Sequence, residues 1–194
     1  MNDLFDGPEY ATPLTVEERR ELIPAYIAYR SELNEAEQEN IARAQDWALR
    51  RKRDLLTEKF VKELHRRMLG EVWKWAGKFR SSERNLGIPF YEIPVALAQL
   101  LADARAWIEF KTYSPDEIGV RLHHRLVQIH PFPNGNGRHA RLTADLLAIR
   151  LGRDRFSWGR TSLRDPGTTR GRYIAALQAA DRHDIRPLLA FARS

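Results

Sequence analysis

Cysteine is absent from the 194 residues. That excludes a disulfide framework, a thiol nucleophile and a cysteine-ligated metal. Long apolar runs are missing too: none approaches the roughly 20 residues a membrane-spanning helix requires. The opening MNDLFDGPEY lacks the basic-then-apolar order of a secretory leader, so a reducing cytoplasm is the expected location. No internal repeat or low-complexity tract interrupts the chain. Hydrophobic residues make up 43% and charged ones 30%, a balance too apolar for a disordered chain. The length suits one domain with an appended N-terminal arm, drawn as 1–55 packed on a core of 56–194.

Acidic residues are outnumbered: 26 Asp and Glu face 32 Lys and Arg, for a net charge of +6. Such a surplus favours an anionic partner: nucleotide phosphates, nucleic acid or an acidic protein surface. Nucleic acid ranks last, because no recognisable reading element accompanies the charge. The densest cluster, Arg50 to Arg53, reads as the last turn of a helix, where cations suit the dipole.

Periodicity describes an all-α chain. Thr15 and Glu18 form a capping box for a short helix that ends near Pro24. A longer helix is expected over residues 31–51, with Leu33, Ala36, Ile41, Ala44 and Ala48 on its apolar stripe. Thr57 caps a third helix that stops near Gly70. The segment from Val72 to Tyr91 breaks the helical period, and its aromatic flanks around a polar tip fit a small β-hairpin. Pro94 opens another helix, and Ser114-Pro115-Asp116-Glu117 opens the next with cap, N1 proline and acidic first turn together. A helix over about 136–151 follows, then one over 168–180 and a terminal one over 185–192. His123 and His124 fall among inward leucines and read as packing residues, and the tryptophans as core or hairpin anchors.

The stretch IHPFPNGNGRHAR, from Ile129 to Arg141, does not fit a purely structural purpose. Two glycines and two prolines weaken regular structure there. Together they form a tight turn ahead of a helix, where the backbone N–H groups of Gly135, Asn136 and Gly137 can cradle an anion. Arg138 and Arg141 share one face of that helix and can both reach a polyphosphate. His130 stands at the rim, where a neutral imidazole can take a proton from an attacking hydroxyl. These are the parts phosphoryl transfer needs.

The same residues carry a resemblance. The stretch is similar to the Fic signature, H-P-F-x-(D/E)-G-N-G-R-x-x-R, at His130, Pro131, Phe132, Gly135, Asn136, Gly137, Arg138 and Arg141. Trp75 to Arg80 and the apolar helix leading into His130 support it, and the whole chain most resembles the Fic group called mobile mystery protein B. The resemblance implies an all-α, Fic-type helical domain with a small β-hairpin flap. It implies transfer of AMP from ATP to a Tyr, Thr or Ser hydroxyl of a target protein. His130 would be the base, Asn136 and Arg138 would share in catalysis, and Gly135, Asn136, Gly137, Arg138, Arg141 and Tyr173 would hold the nucleotide. Arg80 and Ile88 would belong to the target-docking flap.

Two positions qualify that expectation. Where the signature has an acid for Mg²⁺ (or Mn²⁺), this chain has Asn134, a neutral and weaker metal ligand. A slow transferase, or a weakened domain that only binds nucleotides or partners, is the alternative, as is transfer of another phosphate-containing group. Many family members also carry an inhibitory helix with the pattern (S/T)-x-x-x-E-(G/N). Glu39-Asn40 fits its ending, although Glu35 stands where the pattern has Ser or Thr, and Glu39 is expected to pair with Arg141. A small helix-turn-helix regulatory partner is a further implication of the resemblance.

Overall fold

The computed structural model describes residues 15–159 and 166–194; the irregular stretch expected up to Pro13 lies outside them. The first helix, α1 (Val16–Arg19), is held by the expected reciprocal box, with Glu18 N–H donating to Thr15 Oγ1 and Thr15 N–H to the Glu18 carboxylate. In α2 (Arg30–Leu49) the buried positions are Leu33, Glu37, Asn40, Ala44 and Ala48. The inward stripe therefore includes two polar residues, with Ala36 and Ile41 only partly buried beside it. Because α2 ends at Leu49, the basic cluster lies beyond the helix rather than in its last turn. There the Arg53 and Arg67 guanidiniums flank the Trp47 ring at 4.1 and 4.3 Å, a cation–π arrangement.

Thr57 caps α3 (Glu58–Leu69), accepting the Phe60 N–H at 3.1 Å. A single 3-10 turn (Phe90–Glu92) leads into α4 (Ile93–Glu109), with proline in its first turn. Ser114 caps α5 (Pro115–Ile129), and α6 (Asn136–Arg150) follows the motif turn. The chain closes with α7 (Pro166–Asp181) and α8 (Arg186–Ala192).

The expected hairpin over 72–91 is absent: among the described residues no strand forms, and the only ladder contact is one antiparallel bridge between Leu22 and Trp73. The cause is Arg80. Its buried guanidinium takes the Ser82 and Ile88 carbonyls, acceptors that a two-stranded ladder would need for itself. Residues 81–89 consequently run as turns and bends around that side chain.

The α5–α6 pair is the centre of the molecule. One side of it presents Ile118, Leu122, Leu126, Ile129, Leu142, Leu146 and Leu147 to a large core shared with α2, α3 and α4. The other side presents Val120, Ala144 and Ala148 to a second core built from Phe156, Trp158, α7 and α8. Asp116 at the start of α5 receives a two-pronged bond from Arg193, with Nε at 2.9 Å and Nη2 at 2.6 Å, which ties the chain's end to this pair. The motif turn, between α5 and α6, is thus held from both sides. Among the described residues no helix is long and apolar enough to cross a membrane.

Candidate active site

His130 ends α5 in the left-handed region, at φ 53° and ψ 59°. A side chain costs roughly 1–2 kcal/mol there, so the turn is enforced by its surroundings. Its ring Nδ1 lies 3.3 Å from the Val127 carbonyl. A carbonyl only accepts, so Nδ1 carries the proton and Nε2 is the basic nitrogen. Burial pushes the imidazole pKa down to about 4; the Val127 bond opposes this, and the Arg80 and Arg84 charges add to it. The ring is neutral at pH 7, as a general base must be.

The loop after it is anchored at Phe132, which is fully buried. The Asn136 side chain closes it, accepting the Phe132 N–H at 2.9 Å and donating to the Phe132 carbonyl at 2.8 Å. Asn136 thereby shapes the loop with its side chain. Gly135 sits at φ 78°, and a Cβ there would stand 2.6 Å from Leu69 Cδ1, so glycine is required. Gly137 differs: a Cβ would meet nothing within 4 Å. The α6 N-terminus beside it has no side-chain cap. Open space over uncapped first-turn amides suits a phosphate.

Sequence reasoning passed over His65. Its ring stacks on Phe132, with centroids 3.7 Å apart. Nδ1 accepts the Gly77 N–H at 2.9 Å, so Nε2 holds the proton and donates to the Asn134 carbonyl at 3.0 Å. This ring is one link between the Trp75–Arg80 stretch and the motif loop; the Arg80 N–H, which donates to the Pro131 carbonyl at 2.9 Å, is another. His139 donates likewise to the Val61 carbonyl at 3.0 Å, and burial holds its pKa down to about 4. The signal for His65 was its place on the inward face of α3, beside Val61, Leu64 and Met68.

The expected flap residues are placed differently. Arg80 is 3% exposed, and besides Ser82 and Ile88 its guanidinium donates to the His130 carbonyl at 2.7 Å. It fixes the floor of the site and presents no docking side chain. Ile88 is partly buried against the core. The segment above them covers the histidine: a Cβ on Gly87 would stand 2.6 Å from His130 Cβ. Arg84 from this segment forms an ion pair with Glu18 of α1, their side chains 5% and 14% exposed.

Glu39 faces solvent and pairs with Arg43 at 2.7 Å. Two residues along a helix turn through about 200°, so Glu37 faces inward instead. Glu37 is 5% exposed and accepts Trp73 Nε1 at 2.8 Å and Arg138 Nη1 at 2.5 Å. Asn40 is buried and donates to the Ala36 carbonyl at 2.8 Å. The carboxylate that α2 brings to the motif is therefore Glu37, and the arginine it reaches is Arg138. Arg141 lies over the Tyr173 ring at 5.5 Å from its centre, while the Tyr173 hydroxyl meets His123 Nε2 at 3.0 Å. Asp145, four residues after Arg141, bonds to Trp158, Phe156 and Arg155.

Asn134 is a poor metal ligand as placed, because its Oδ1 accepts the Gly135 N–H at 2.6 Å. Among the described residues no group of three or more His, Cys, Asp or Glu side chains is arranged to share a metal ion. The donors fit the phosphates of a nucleotide and do not form a protein-made cage for magnesium.

The family model described as "Fic/DOC family" matches residues 55–148. Protein adenylyltransferase Fic of Aedes aegypti is 33% identical over 144 residues, covering 72% of this chain and 28% of the relative. The Drosophila melanogaster protein of the same name is 34% identical over 140 residues, covering 70% and 27%. The chain thus spans little more than a quarter of these relatives. Among solved structures, Fic-1 of C. elegans aligns with a TM-score of 0.63 at 29% identity, covering 81% of this chain and 48% of that one. BepC of Bartonella tribocorum, solved with bound AMPPNP, aligns with a TM-score of 0.66 at 17% identity, covering 92% and 97%; at that identity the likeness concerns the fold.

Proposed function

The chain belongs to the Fic/DOC family, and from that premise we propose that it transfers AMP from ATP to a side-chain hydroxyl of a target protein. The observation that carries this reading is the pairing, across one turn, of a neutral imidazole with an uncapped helix N-terminus and two arginines. His130 Nε2 takes the hydroxyl proton as the oxygen attacks the α-phosphorus. The bond from that phosphorus to the oxygen bridging to the β-phosphate breaks, and pyrophosphate leaves. The first-turn amides of α6, with Arg138 and Arg141, balance the phosphate charge. Tyr173, beneath Arg141, helps to wall the nucleotide. A divalent cation, Mg²⁺ or Mn²⁺, would supply further charge neutralisation on the phosphates, with Asn134 as its weak protein contact.

Glu37 restrains this reaction by occupying Arg138, which the phosphates need. That role was expected of Glu39; the register of α2 favours Glu37. A second reading, a nucleotide-binding domain with little turnover, draws on the engaged Asn134 oxygen. Intact-mass measurement after incubation with ATP and Mg²⁺ or Mn²⁺ separates the two. The transferase adds one AMP mass, more in Glu37→Gly and none in His130→Ala. Nucleotide bound without any mass gain in any variant would favour the binding domain.

A further inference from the structure

A groove of about 480 Å³ opens beside Trp73, whose indole N–H donates to Glu37. Three elements wall it: α2 with Arg43 and Ala44, the end of α3 with Arg66, Arg67 and Gly70, and the following segment with Glu71, Trp73, Lys74, Ala76 and Lys78. Five cations converge there from parts of the chain that are distant in sequence. Their carboxylate partners are fewer: Arg66 and Arg67 share Glu63, and Arg43 reaches Glu39 and Glu71. Lys74 and Lys78 have no carboxylate partner among the described residues. The surplus positive charge faces a concavity, where it attracts an anion more strongly than on a convex surface.

The walls also indicate what kind of anion fits. Trp73 is only 2% exposed, so no aromatic face is open for stacking a nucleobase. Small residues, Ala44, Gly70 and Ala76, leave the groove its depth, and three arginines lie around it, each engaged by surface carboxylates that a more highly charged anion would displace. Guanidinium forks match phosphate oxygens in pairs, and the volume suits a ligand of small-molecule size. We propose that this groove binds a small anion carrying several phosphate groups, recognised by charge and not by a base.

Such a ligand would bridge α2, through Arg43, to the segment that carries Lys74 and Lys78. Unbound, the Arg43–Glu71 ion pair already joins the two sides; a bound anion adds a second link, from Arg43 to Lys74 and Lys78. The same two elements meet again through Trp73 and Glu37. Occupancy therefore holds Glu37 in place on Arg138. That second step rests on the reading of Glu37 given above; the site itself does not.

Tripolyphosphate is a suitable probe, titrated calorimetrically into the full chain and two double variants. The motif cradle is a second place for it, so the expected stoichiometry is two for the parent. Lys74→Ala with Lys78→Ala should leave one site, and Arg138→Ala with Arg141→Ala should leave the other. Equal binding by the parent and the lysine variant, both folded by circular dichroism, would overturn the groove. Hexaglutamate binding more tightly than tripolyphosphate at the same ionic strength would overturn the phosphate assignment in favour of an acidic protein segment. Hydrogen exchange tests the bridge in the Arg138→Ala, Arg141→Ala background, where the cradle is disabled. Slower exchange across α2 on adding the probe is expected, and unchanged exchange with the probe bound would overturn the coupling. Neither measurement depends on catalysis, so an inactive chain would count against the transferase and leave the groove standing.

Discussion

Four imidazoles, those of His65, His123, His130 and His139, are buried with pKa values pushed below the ordinary histidine range by desolvation. The unfolded chain then binds protons more readily than the folded one below about pH 6.5, so stability falls as pH drops. For His139 the window runs from about 6.5 down to its folded value of about 4. Across it that single ring withdraws on the order of 3 kcal/mol, by the usual 1.36 kcal/mol per pKa unit. Urea titrations at stepped pH should show this as a steepening loss, and His139→Gln should flatten it; an identical slope would show that burial of this ring is not the cause. Glu37→Gly frees Arg138, and an ATP analogue should bind roughly tenfold or more tightly if about 1.4 kcal/mol of competition is removed. Unchanged affinity by calorimetry would remove Glu37 from the regulation. Asn134→Asp should lower the Mg²⁺ or Mn²⁺ concentration at which the AMP mass gain appears, because a carboxylate binds a hard cation better than an amide oxygen.

Elements explain why some of this could be read from sequence and some could not. Helices with local start signals were legible: Thr15, Thr57 and Ser114 each accept the N–H three residues on, as their spacing implies. The segment 81–89 was not, because its shape depends on a guanidinium that reaches carbonyls of residues up to 50 positions away. In α2, a hydrophobic stripe passes over any acid that is buried for its partners, and so the contact of Glu37 with Arg138 had no signal in the sequence. The motif loop was legible residue by residue, yet its brace, His65, carried no motif of its own. One consequence belongs to the segment itself. The Glu18–Arg84 pair pins it over His130 from α1, and removing one member of a buried pair leaves the other charge uncompensated. Glu18→Ala should therefore expose the histidine, raising its rate of modification by diethyl pyrocarbonate several-fold. A rate equal to the parent's would mean that the Gly87 contact alone is enough.

At the level of the whole molecule, two cores share the α5–α6 pair, and the motif turn inherits its rigidity from both. Leu126 is 1% exposed in the larger core; Leu126→Ala should cost about 2–5 kcal/mol. Phe191, 4% exposed in the smaller one, should cost about 3–5 kcal/mol on truncation to alanine. Denaturant midpoints give both values, and a single transition in each variant would mark the cores as one cooperative unit. Their shared helices also give His130 its unfavourable backbone, and that has a bearing on how variants of this chain would respond to selection. Asparagine tolerates the left-handed conformation better than most residues and has no imidazole to desolvate. A library of variants sorted by heat resistance alone should therefore accumulate replacements at position 130, improving the scaffold while discarding its chemistry.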